Sequence, residues 1–238
     1  MKYEEALKKP FTDFKKLAIG TVLSIIPIVN FTILQGFAME SSGVGKAKAS
    51  SKMPEWKGWS YLFVKGLGAT VVKLIYALPA LAVMGFGIGI AMGDMFAMMA
   101  NNLSPELTAQ IMGRGFATNE QMVQVLAQNW YLALPGMMKA APLVALGGIL
   151  ALLSSFMAPV AVLNYLSKKD FAAAFDLSRV MHKAFNTTYA LAWITALLVG
   201  IVLLTVLSFV PLVGAPIALF ALSVISYSLY GQAFKETK

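Results

Sequence analysis

The chain has 238 residues, of which 58% are apolar and only 13% charged, and its mean hydropathy is +0.73, whereas a soluble domain runs nearer half apolar and a quarter charged. Nineteen Lys and Arg against eleven Asp and Glu give a net charge of +8, but the basic residues are split among short segments flanking apolar runs, where they set topology and meet anionic headgroups and do not form a nucleic-acid footprint. The absence of cysteine excludes disulfides, thiolate nucleophiles and Cys-ligated metal centres.

Four stretches carry no charge: Leu17 to Met39, Leu74 to Gly93, Ala140 to Ser167 and Ala184 to Phe234. Each is long enough to cross a bilayer core, which takes about 20 apolar residues, and the last is long enough to cross twice. The sequence therefore predicts an all-α fold, a polytopic membrane bundle with interfacial amphipathic helices and helical hairpins.

Residues 1–16 set Lys2, Lys8, Lys9, Lys15 and Lys16 among Tyr3, Leu7, Phe11 and Phe14 at helical spacing, the pattern of a helix lying on a membrane surface. A basic start before an apolar run also suits a signal peptide, but Leu17 to Met39 exceeds an h-region of about 7 to 15 residues. Segment 17–39 is interrupted by Pro27 and Asn30 and is expected either to span or to re-enter. Ser41 to Lys52 reads as a flexible linker. Pro54, Glu55, Trp56 and Trp59 open a second interfacial helix over 53–73, with tryptophan at headgroup level and Glu55 placed to favour a helix dipole in the first turn.

The predicted span 74–93 carries Gly85, Gly89 and Gly93 at intervals of four, a small-residue face for helix packing within the chain or between chains. It is no dinucleotide fingerprint, because Ile90 and Met92 occupy the third-glycine positions. Segment 94–139 sets the acids Asp94, Glu106 and Glu120 against Arg114 and Lys139 and is expected outside, with Gln121 to Leu134 along the interface. A span over 140–167 follows, then Lys168, Lys169 and a third interfacial helix over 168–186 that holds Asp176 and Arg179. Pro211, Gly214 and Pro216 turn the final stretch into a hairpin of two spans, 187–209 and 212–232.

Basic segments stay in the cytoplasm, which places 40–73, 168–183 and the C-terminal tail inside. The N-terminus is as basic, yet a single apolar run separates it from 40–73. A re-entrant hairpin with its turn at Pro27 to Asn30 removes the conflict and leaves both termini cytoplasmic in a cell-membrane protein. Phe209-Val210-Pro211-Leu212-Val213-Gly214 echoes Ile25-Ile26-Pro27-Ile28-Val29-Asn30, and Trp59, Phe63 and Gly66 are echoed by Phe171, Phe175 and Ser178. Both echoes suggest a repeated unit of interfacial helix and membrane helix.

Pro10-Phe11, the run into Ile26-Pro27-Ile28-Val29-Asn30, Gln35-Gly36-Phe37-Ala38, Met53-Pro54-Glu55-Trp56 with Trp59, Leu62-Phe63-Val64-Lys65-Gly66 and Leu74-Ile75-Tyr76-Ala77-Leu78-Pro79 resemble the prokaryotic, largely archaeal, membrane family known as domain of unknown function 4013. Asp170 to Arg179, with Ala174-Phe175-Asp176, resembles that family's second half. The resemblance covers nearly the whole chain, and its most specific part is the proline–glutamate–tryptophan element. It implies a multi-pass membrane protein and brings no activity with it.

Catalytic chemistry finds little to work with. His182 is the one histidine, so zinc-binding HExxH, a histidine pair and a Ser-His-Asp triad fall short, and its neighbours Arg179 and Lys183 mark an interfacial position. Asp94 and Asp176 fall on opposite sides of the predicted topology. Of three glycosylation sequons only Asn102 is expected outside. Methionines at 92, 95, 98, 99, 137 and 138 could suit soft copper, but without Cys or a nearby His they read as apolar packing. No catalytic residue, metal site or cofactor is predicted.

The remaining candidates are polar groups in or near spans, Asn30, Gln35 and Asn164, which bond across helices or line a cavity. Glu55 and Asp176 are alternatively expected to pair with Lys65 or Arg179. The sequence points to a non-enzymatic membrane protein that organises lipid or partner proteins through its interfacial helices. Its expected partners are anionic headgroups of the inner leaflet and further membrane subunits or copies of itself, with no nucleic acid. The alternative is a small solute transporter or channel at the proline-broken helices, opposed by the lack of an intramembrane charge.

Overall fold

A computed structural model describes residues 1–45, 51–102 and 130–237, and every regular element among them is helical. The chain opens with α1 (Tyr3–Lys8), a 3-10 turn (Lys9–Phe11) and α2 (Phe14–Ser24). The single helix expected over 1–16 is therefore broken. Pro10 offers no backbone donor, and Asp13, extended at φ −148°, accepts the Lys16 N–H at 3.1 Å and so starts a new helix.

Segment 17–39 is likewise not one helix. Ile26 is extended, and Pro27 opens α3 (Pro27–Val29) at the position where its missing N–H has no intrahelical partner to lose. A π-helical turn (Asn30–Leu34) leads into α4 (Gln35–Ser41). The two limbs form a hairpin whose ends meet, with Lys9 Nζ donating to the Ser41 carbonyl at 2.6 Å.

After Gly58, which adopts φ +66°, α5 (Trp59–Asn102) runs unbroken for 44 residues, about 66 Å. The sequence led us to expect an interfacial helix over 53–73 and a separate span over 74–93. The change from polar to apolar near Lys73 is one of composition only, and nothing there breaks the backbone. The same helix continues into the segment expected outside, whose other end is a 3-10 turn (Trp130–Ala133) and α6 (Leu134–Lys168). The expected interfacial stretch from Gln121 falls mostly in 103–129, outside the described residues.

A 3-10 turn (Phe171–Phe175) and α7 (Leu177–Ala184) make up the third amphipathic segment, followed by α8 (Thr187–Leu207) and α9 (Gly214–Glu236). Helices α5, α6, α8 and α9 are long and apolar enough to cross a membrane. The chain is an all-α polytopic membrane protein.

The helices divide between two compact units. In the first, residues 1–76 with 154–238, α9 is the most enclosed of the four long helices and packs against α8 and the N-terminal hairpin. Leu17, Leu34, Phe37, Leu62, Phe220 and Val224 fill the hairpin side, and Val160, Leu163, Tyr189, Ile225 and Leu229 belong to the larger core. The hairpin lies along α9. Ser24 Oγ at its tip donates to the Pro216 carbonyl at 3.1 Å, while Ser228 Oγ donates to Ser41 at its base. Pro216 to Ser228 is about 18 Å of helix. In the second unit, residues 77–153, α5 and α6 pack antiparallel, with Gly87 opposite Leu143 and Gly147 opposite Met84, and Lys139 Nζ pairs with Asp94 Oδ2 at 2.7 Å.

Candidate functional site

The loop before α5 seals the base of the hairpin. The Trp56 ring stacks on Phe37 at 3.9 Å between centroids, with Trp59 and Phe220 at 5.6 and 6.1 Å, and its Nε1–H donates to the Lys16 carbonyl at 3.3 Å. Pro54 leads into this plug, and Glu55 pairs with Lys16 Nζ at 2.6 Å. That hydrogen bond is the largest influence on Lys16 and holds its pKa above the usual lysine value against the opposing effect of burial. Glu55 lies ahead of the helix, so it does not serve α5 as a first-turn acid, and neither Lys65 nor Arg179 is its partner. Lys65 pairs with Glu40. Asp176 caps α7 by accepting the Arg179 N–H at 3.1 Å.

Where α5 crosses the hairpin, the two backbones touch. A Cβ on Gly36 would meet the Leu62 carbonyl, and one on Gly66 would meet the Thr32 carbonyl. The π-helical turn leaves a carbonyl at Phe31, which accepts a hydrogen bond from Thr70 Oγ1 on α5. Pro27 sits at the tip, and half-exposed Asn30 begins the π turn. Gln35 Oε1 accepts from Lys73 Nζ at 2.6 Å, and Lys73 also lies 5.2 Å from the centre of the Tyr227 ring. Lys73 thus sits well inside a helix long enough to span, beside a residue in the middle of α9. Lys73 stands one residue before the uncharged run 74–93. The Tyr227 hydroxyl is buried with no hydrogen-bond partner among the described residues.

At the opposite end of the hairpin from its tip, two lysines are buried and cap helix C-termini, where exposed carbonyls favour a cation. Lys9 reaches the end of α4, and Lys183 Nζ reaches the Phe234 and Thr237 carbonyls at 3.0 and 2.5 Å. Burial first, and the Arg179 guanidinium second, lower the Lys183 pKa. Asn164 Nδ2 and the Tyr76 hydroxyl donate to the Ala173 and Ala174 carbonyls and tether the turn before α7. α7 buries Val180, Lys183 and Ala184 and exposes Leu177 and Met181, a stripe that Phe185 continues just beyond the helix.

In the second unit the three glycines expected to pack helices meet no neighbour among the chain's described residues. A Cβ at Gly85, Gly89 or Gly93 would find nothing within 4 Å, while Gly87, Gly136 and Gly147 carry the close approach. Spacing within one helix announces a bare face and says nothing of what stands opposite. Sequence reasoning also missed Gly36, Gly66, Thr70 and Glu40. The available signal was a glycine on each of two segments joined by a short loop.

The family profile described as "Protein of unknown function (DUF4013)" matches residues 19–212, from α2 through α8 to the turn before α9. The chain belongs to this family. The matched region contains the Pro27 turn, the Trp56 plug, the crossing of α5 over the hairpin and α7, so most of the geometry above is built on the DUF4013 portion, completed in the first unit by residues 1–18 and α9. Neither a curated protein nor a solved structure matches the chain.

Proposed function

We propose that this DUF4013 protein is a non-enzymatic membrane protein that gathers anionic lipid at its basic end, on the cytoplasmic face of the cell membrane. The observation that carries the reading is α7. Its exposed Leu177 and Met181, with Phe185 beyond, face away from the core beside Arg179, and Lys168 and Lys169 lie exposed just upstream, the arrangement of a helix lying in the headgroup region. The N-terminal hairpin supports it, since exposed Val22, Ile25, Ile26 and Ile28 at the tip suit a re-entrant element while Lys8 and Lys15 stay exposed near the base. The test is lipid selectivity in proteoliposomes, read as the association of spin-labelled phosphatidylglycerol relative to phosphatidylcholine. The combined change Lys15→Gln, Lys57→Gln and Lys168→Gln, all at exposed positions, lowers the preference. Unaltered selectivity in a folded variant defeats the reading.

A second reading, a carrier of a small polar solute, draws on Lys73 and Gln35 beside the broken segment from Pro27 to Leu34. It requires proteoliposome uptake that Gln35→Leu removes.

A further inference from the structure

A groove of about 450 Å³ opens at the basic end of the first unit, between the end of the hairpin, the first turns of α5 and the last turn of α6. Its polar wall is the Lys65–Glu40 ion pair, with both side chains largely buried, and Lys65 lies 4.2 Å from the centre of the Tyr61 ring. Lys169 lines the same groove from beyond α6. Its left-handed backbone, φ 56°, turns the chain off that helix. The side chain is exposed and has no ion-pair or hydrogen-bond partner among the described residues. Lys65 is already engaged by Glu40, so Lys169 is the cation on the groove's described lining that a negative headgroup can meet.

The rest of the groove is apolar. Val64 on its rim is 63% exposed, and Leu67, Val71 and Leu74 continue from it at spacings of three and four, exposed on the same side of α5. Val64 to Leu74 is about 15 Å of helix. A cationic pocket that opens onto an apolar track along a membrane helix has the form of an amphiphile site, and its volume falls within the usual range for a bound small molecule.

We infer that the groove is a discrete site for one glycerophospholipid with a net negative headgroup, its phosphate at Lys169 and an acyl chain along Val64, Leu67 and Val71. This rests on the reading that the basic end lies at headgroup level, and adds to it a stoichiometric site.

The test is native mass spectrometry of the full chain in non-ionic detergent with added phosphatidylglycerol, phosphatidylcholine or glycerol 3-phosphate. One phosphatidylglycerol is retained in preference to phosphatidylcholine, and Lys169→Gln lowers its apparent affinity about fivefold. Leu67→Asn, which leaves both lysines in place, weakens phosphatidylglycerol and has no effect on glycerol 3-phosphate. The variant Lys15→Gln, Lys57→Gln, Lys168→Gln keeps the bound lipid, because none of its positions lines the groove. Equal retention of the two lipids, or equal affinity in wild type and a Lys169→Gln protein of unchanged melting temperature, overturns the site. Glycerol 3-phosphate bound as tightly as the lipid overturns it too, by showing a free-phosphate site without a chain track. If the site falls while proteoliposome selectivity persists, the broader reading stands without it. If selectivity is absent while one lipid is retained, the broader reading is the one that fails.

Discussion

Replacing Gly66 with alanine adds one methyl group where α5 crosses the N-terminal hairpin. That methyl falls on the Thr32 carbonyl and lies 2.7 Å from the Gly36 nitrogen, both backbone atoms, so no side-chain rotation relieves the clash. Overpacking of this kind costs about 1–3 kcal/mol. Separating the segments also strains the hydrogen bond from Thr70 to Phe31, and interhelical bonds in membrane proteins contribute about 0.6–2 kcal/mol. The higher helix propensity of alanine returns at most about 1 kcal/mol. The expected net loss is about 1–4 kcal/mol. Gly85→Ala is the matched control, because its methyl meets nothing within 4 Å and only the propensity gain remains. Unfolding in mixed micelles, followed against the mole fraction of dodecyl sulfate, reads the difference directly. Equal midpoints for the two variants would show that α5 and the hairpin do not touch at Gly66, and the close-crossing argument would fall.

Trp56→Ala removes a half-buried ring stacked on three aromatic neighbours and is expected to cost about 2–4 kcal/mol, seen as a lower midpoint in the same titration. Glu55→Gln, which breaks a pair with an exposed carboxylate, changes the midpoint by less than about 1 kcal/mol. Lys9→Gln destabilises by about 1–3 kcal/mol, because the carbonyl at the end of α4 loses its buried donor, and it leaves lipid selectivity in proteoliposomes intact. Lys183 contributes a pH dependence of defined sign. Its folded pKa lies below the unfolded 10.5, so the unfolded chain binds more protons between the two values and stability from this group rises with pH across that window. The melting temperature of the wild type minus that of Lys183→Met should therefore climb toward pH 10.5, and a flat difference would contradict the assignment.

The helical class and the apolar stretches were legible because a bilayer demands about 20 uncharged residues and tolerates few alternatives. The hairpin was legible for a similar reason, since Lys9 and Lys16 before it and the basic linker after it left Pro27 as the natural turn. What stayed hidden depends on partners distant in sequence. Glu55 meets Lys16, 39 residues away, and neither residue's local pattern names the other. The break before α2 was readable from Pro10 and Asp13, but the regular spacing of lysines and aromatics concealed it. Lys73 stands at the edge of an apolar run, and nothing in its local pattern announces that α5 carries it beside Gln35. The exposed lysines could not be separated by sequence from Lys9 and Lys183, which are spent on internal carbonyls.

The packing of the hairpin against α9 has a consequence for the order in which the protein is made. Residues through Ser41 leave the ribosome well before Phe220 and Val224 of α9, which cover Leu17, Leu34 and Phe37. Some 170 residues separate the two segments, about 10–30 s of translation at ordinary bacterial or eukaryotic speeds. During that interval the inner face of the hairpin lacks the cover that Phe220 and Val224 give it, and a chain that stops before Gly214 never gains it.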